Sequence, residues 1–158
     1  MLRIGRRQLL LAGGSALLVA CTPGVASGSA APSAARPSSP LAANRALGVW
    51  PDLVAKAPLA VRQAYEYAAS NQQILQFVPC YCGCGSIGHE DNLSCFVAQF
   101  AQDGWLVLDP HATACNTCVG IALEAMSLEK QGVTVKDIRR SIDEKWSKVG
   151  PGTSTRMP

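Results

Sequence analysis

The chain predicts a mostly α fold: a small bundle of about four helices, with a cysteine-rich loop packed on a helix that carries His111, Cys115 and Cys118. Three observations lead there. Four stretches rich in helix formers, 58–77, 93–102, 110–131 and 135–148, carry apolar residues at helical spacing. Start and stop signals bound them: Pro58 and Pro110 at first helical positions, Thr134 with Asp137 as a capping box, then Pro79, Asp103-Gly104, Gly132 and Gly150 as breakers. Only Trp105, Val107 and Leu108 suggest a strand, and then only a fragment or a lead-in.

The chain has 158 residues, enough for one small domain. Met1 to Gln8 holds three arginines and no acid, and Leu9 to Ala20 is apolar or small throughout. That run falls short of the about 20 residues a membrane span needs and suits a signal peptide. It ends Leu18-Val19-Ala20-Cys21, which resembles the bacterial lipobox, in which the cysteine is lipidated and becomes the new N-terminus. Residues 1–21 are therefore expected to be a signal, with Cys21 as the lipidation site. Gly5-Arg6-Arg7-Gln8-Leu9-Leu10 also resembles a twin-arginine signal, a route that carries folded proteins and allows a cofactor to be inserted before export. Residues 22–45 are Ala, Ser, Pro and Gly with almost no charge, which reads as a flexible tether with a reach on the order of 25–30 Å. The expected address is the outer face of the cytoplasmic membrane, or the periplasmic side, with the membrane as a partner through Cys21. Three of the 14 basic residues (Arg3, Arg6, Arg7) lie in the signal, leaving 11 against 11 acidic ones. That balance excludes the electrostatic footprint of a nucleic-acid binder.

The folded domain is expected over 46–150, with 151–158 as a disordered tail. Residues 47–54 are an apolar lead-in with a central proline. The first helix, 58–77, delivers the chain to Pro79. Residues 80–91 contain Gly83, Gly85 and Gly88 and read as a loop. Asp91 or Asn92 is placed to cap a helix over 93–102, with Leu93, Phe96, Val97 and Phe100 as its stripe and Cys95 near its start. Asp109-Pro110 opens a helix to about Gln131, on which His111, Cys115 and Cys118 fall at i, i+4 and i+7 and share a face. The last helix has the stripe Ile138, Ile142 and Trp146.

The chemistry lies in sulfur. Cys80, Cys82 and Cys84 alternate with single residues, so in an extended chain their thiols point one way. Folding that loop onto the helix face gives a closed pocket of Cys80, Cys82, Cys84, Cys115 and Cys118 thiolates with His111. Cys95 is a further ligand or a structural thiol. Closely spaced thiolates select Cu(I), then Zn²⁺, and also suit an iron–sulfur cluster. Copper(I) handling is the leading expectation, with a metal-delivering or metal-accepting protein as partner. The rival is three disulfides in an exported interaction module, since six is even and the compartment is oxidising. A thiol–disulfide redox protein built on Cys115-Asn116-Thr117-Cys118 is the third reading, although no βαβ pattern surrounds that motif. His89 is a second candidate ligand or a solvated loop residue, Tyr81 a candidate wall against water, and Met126 a core residue. No Ser–His–Asp set, phosphate loop or pair of carboxylates stands out, so the chain is not expected to be an enzyme.

Residues 79–84 read Pro-Cys-Tyr-Cys-Gly-Cys. The chain resembles a bacterial family of exported lipoproteins named for this PCYCGC motif. The likeness runs on through Gly88-His89, Cys95-Phe96-Val97, Trp105, the segment from His111 to Cys118, and Ile138 with Ile142-Asp143. It covers most of the folded domain and none of the linker. The resemblance implies a fold and an export address more than an activity.

Overall fold

A computed structural model describes residues 36–158. The expected signal, the lipobox Cys21 and most of the linker lie outside the described residues. Among these residues the elements run β1 (Ala42–Asn44), α1 (Asp52–Ala55), α2 (Leu59–Ser70), α3 (Gln72–Leu75), β2 (Val97–Phe100), β3 (Trp105–Leu108), α4 (Asn116–Lys130) and α5 (Val135–Trp146). The three strands form one antiparallel sheet in the order β1-β3-β2. The expected all-helical bundle of four helices is therefore not the fold: five helices, two of them single turns, share the domain with a sheet.

The largest correction falls on 93–102. Leu93–Cys95 is a 3-10 turn, and Val97–Phe100 then runs as β2, bonded to β3. The apolar spacing suited a helix, but the Asp103-Gly104 step decides the outcome. Asp103 has φ 51° and Gly104 φ 74°, two consecutive left-handed residues of the kind that reverse a hairpin. Asp-Gly here turns β2 into β3 rather than stopping a helix. The Asn44 side chain braces this turn by donating from Nδ2 to the Asp103 carbonyl at 3.0 Å.

β1 lies inside the stretch whose composition suggests a tether. Ala42 and Ala43 have little side chain to bury, but their backbones pair with Val107 and Leu106. Ladder hydrogen bonds and full burial hold what alanine side chains alone would not.

Two expected helices are interrupted. The stretch 58–77 breaks at Asn71, whose side chain donates to the Tyr67 carbonyl, a local bond that competes with helical continuation. The stretch 110–131 splits into a 3-10 turn, His111–Ala114, and α4; Cys115 between them is extended (φ −120°, ψ 98°). α5 begins as expected, with Thr134 Oγ1 accepting the Asp137 N–H. Ile138 and Ile142 are fully buried, and the Trp146 indole donates to Glu124 of α4 at 2.8 Å.

The core sits between α2, α4 and α5 and extends under the sheet. Tyr65 of α2 meets Phe96 edge-on at 5.1 Å, and its hydroxyl donates to the Asp109 carbonyl at 2.6 Å. No helix among the described residues is long and apolar enough to cross a membrane.

Residues 151–158, expected as a disordered tail, carry no regular secondary structure, yet they pack on the cysteine loop. The Cys80 N–H donates to Thr153 Oγ1 at 2.9 Å, and the Thr153 N–H donates back to the Cys80 carbonyl at 3.0 Å. Thr155 Oγ1 donates to the Glu90 carbonyl, and the Arg156 guanidinium covers the Phe77 ring. The approach is so close that a methyl on Gly150 would stand 2.9 Å from the Tyr81 carbonyl oxygen. Backbone cannot yield there as a flexible side chain would. Gly150→Ala should therefore destabilise the domain by about 1–3 kcal/mol, seen as a lower midpoint in denaturant unfolding.

Candidate metal centre

The site is assembled from four pieces of chain. The loop after α3 supplies Cys80, Cys82 and Cys84. The 3-10 turn before β2 supplies Cys95, the turn before α4 supplies His111, and the start of α4 supplies Cys115 and Cys118. Gly83 takes φ 83°, a left-handed turn that a side chain would strain, and so redirects the chain between Cys82 and Cys84. Cys115 occupies the N-cap of α4 and Cys118 its first turn. Unpaired N–H groups and the helix dipole favour negative charge at that end, and therefore a thiolate.

Buried Asn92 holds the pieces in register. Its N–H donates to the Val78 carbonyl at 2.7 Å, and its Nδ2 donates to the Cys118 carbonyl at 3.3 Å. Asp109 does the same for the histidines: Oδ1 accepts the His111 N–H at 2.8 Å, and Oδ2 lies 3.5 Å from His89 Nε2. Neither residue announces this role in the sequence, where Asn92 and Asp109 read as helix caps. Thr153 is equally silent there, lying 73 residues from its partner Cys80.

The sulfur atoms crowd. Cys118 Sγ lies 3.1 Å from Cys115 Sγ, 3.3 Å from Cys80 Sγ and 3.6 Å from Cys82 Sγ. Cys80 and Cys82 are 3.5 Å apart, as are Cys84 and Cys95. His111 Nε2 stands 3.6 Å from Cys82 Sγ. Three groups of four ligand atoms, each within 4.8 Å of one another, emerge: Cys80, Cys82, Cys84 and Cys118; Cys82, His111, Cys115 and Cys118; Cys84, Cys95, His111 and Cys118. A tetrahedral ion with metal–sulfur bonds of about 2.3 Å holds its sulfurs about 3.8 Å apart. The observed spacings are close to that, and the cluster has the size to hold a metal ion.

Proton sharing follows from the crowding. Hydrogen bonds from Cys118 and then Cys95 pull the Cys80 thiol far below its ordinary range, against the burial that opposes this. Cys118 is pushed up by its bonds to Cys80 and Cys95, while burial is the main cause that raises Cys82 and Cys84. Acid strength is therefore uneven across the cluster, with Cys80 losing its proton more readily than Cys118, Cys82 and Cys84.

The remaining candidates are placed as follows. His89 has a largely buried side chain, lies edge-on to the His111 ring at 5.0 Å, and belongs to none of the three groups. Its Nδ1 is buried without a hydrogen-bond partner. Tyr81 reaches away from the thiols: its hydroxyl donates to Asp143 Oδ1 at 2.7 Å and anchors the loop to α5. Met126 packs against the core.

A family model described as a protein of unknown function with PCYCGC motif matches residues 16–158. The chain belongs to this PCYCGC-motif family. Among curated proteins and solved structures nothing matches it. All six cysteines of the described residues, from every piece of chain that builds the cluster, therefore lie within the family's matched span, and so does the covering segment at 151–158.

Cys82 and Cys115 are partly exposed, whereas Cys80, Cys84, Cys95 and Cys118 are buried. In the reduced, metal-free protein a brief pulse of iodoacetamide should modify Cys82 and Cys115 first, with the four buried thiols slower by about tenfold or more despite the readily ionised Cys80. Peptide mass spectrometry reads the order.

Proposed function

We propose that this chain is an exported, lipid-anchored protein that binds soft metal ions through its thiolate cluster, handles Cu(I) first and Zn²⁺ next, and passes the ion to or from a partner protein rather than catalysing a reaction. The observation that carries the metal reading is Cys118 with three sulfur neighbours within 3.6 Å. A disulfide would satisfy one of those neighbours and leave the others pressed together. A cation draws all of them at once and offsets the repulsion between thiolates. The cluster holds more sulfur than the four ligands one Zn²⁺ takes, and excess closely spaced soft thiolate suits Cu(I), which is the argument for copper over zinc. The export address rests on the lipobox-like Leu18-Val19-Ala20-Cys21 and the paired Arg6-Arg7. An anchor at Cys21 would keep the domain near a membrane, where a transporter or a second metal carrier is a natural partner.

Elemental analysis of the full chain, purified without reductant or chelator, tests the reading together with thiol counts before and after denaturation. Stoichiometric copper is expected, with thiols that appear only after the metal is stripped. No metal and no free thiols in the denatured chain would overturn it and make the cysteines a covalent scaffold. Loading has a second signature. Because burial and hydrogen bonding keep Cys82, Cys84 and Cys118 protonated, metal uptake at neutral pH must expel their protons, so affinity falls as pH falls. Metal added to weakly buffered apoprotein should acidify the solution. Cys118→Ser should weaken binding by about a hundredfold or more in a competition titration with a coloured chelator.

A further inference from the structure

One four-coordinate ion uses only four of the donors gathered here. Seven side chains, Cys80, Cys82, Cys84, Cys95, Cys115, Cys118 and His111, make up the three groups of four. An ion held by Cys82, His111, Cys115 and Cys118 leaves Cys80, Cys84 and Cys95 idle. Those three thiols are at most 3% exposed, so water cannot solvate them if they ionise. Cys84 and Cys95 lie 3.5 Å apart, and each shares a group with Cys118; Cys80 lies 3.3 Å from Cys118 and shares a group with it and Cys84. Cys118 is the one residue present in all three groups. A thiolate sulfur has lone pairs enough to serve two soft ions. Two four-coordinate ions that share one bridging ligand need seven donors, the number present.

We propose that the site is binuclear, with the Cys118 thiolate bridging an outer ion held by Cys82, His111 and Cys115 and an inner ion held by Cys80, Cys84 and Cys95. This rests on the reading of the chain as a thiolate metal-binding protein. Exposure separates the two positions. Cys82, His111 and Cys115 are only partly buried, so the outer ion is the one that exchanges, while the inner ion is retained.

The test titrates the reduced, metal-free full chain with Cd²⁺ as the probe and follows it by native mass spectrometry and cadmium NMR. Two ions per chain are expected, with one resonance in the four-sulfur range, one shifted by the histidine nitrogen, and scalar coupling between them through the shared sulfur. Cys115→Ala should weaken the outer ion by about a hundredfold and keep the inner resonance, with an unchanged circular dichroism spectrum. One ion per chain would leave metal binding standing and overturn the binuclear site. Two uncoupled resonances would overturn the bridge, and loss of both resonances in a folded Cys115→Ala would overturn the division of ligands. No binding at all would remove the metal reading itself. The wild-type spectra decide the proposal without any variant.

Discussion

Crowded thiols repel one another as they lose their protons, and most of this fold acts to hold a cluster of them together. Six sulfurs from three separate stretches converge at the start of α4, where the helix end favours negative charge. Each stretch is fixed by bonds that do not involve sulfur. Asn92 ties the loop that precedes the cysteines to α4, Tyr81 pins the loop to α5, and Thr153 closes over Cys80 from the far end of the domain. These ties keep the sulfurs together once their protons leave, when the hydrogen bonds among them give way to repulsion.

The residue set of the site was legible in the sequence; its construction was not. Alternating Cys80, Cys82 and Cys84 announce themselves, and His111, Cys115 and Cys118 do so by their spacing. The helical-face argument for the latter was wrong in detail. Cys115 is an extended N-cap, and His111 belongs to a separate 3-10 turn. The residues still meet, with the ligand atoms of His111, Cys115 and Cys118 within 4.8 Å of one another. Cys95, expected as a further ligand or a structural thiol, lies 3.5 Å from Cys84, because the helix expected around it is a single turn feeding a strand.

Of the sheet only β3, the fragment at Trp105–Leu108, shows in the sequence, and its two partners do not, for physical reasons. Its strands are three or four residues long, too short for an alternating pattern to outweigh a helical one. β1 is made of two alanines and an asparagine, and composition alone cannot tell a stretch held by backbone pairing from one that is not held at all. Asp103-Gly104 carried the right information, since both residues tolerate positive φ, but a helix stop and a hairpin turn use the same pair. α5 starts where the sequence predicts because its cap and its Ile138–Ile142 stripe agree, and it ends at Trp146, short of the expected Lys148.

The two-way bond between Cys80 and Thr153 also sets an order in time. The two residues are 73 positions apart, so a growing chain exposes its cysteine loop well before the segment that covers it exists. At about 5–20 residues per second the interval is roughly 4–15 s. During that interval the loop that carries Cys80 lacks the segment that later covers it. Synthesis from one end thus leaves the Cys80 backbone without its partner until Thr153 arrives.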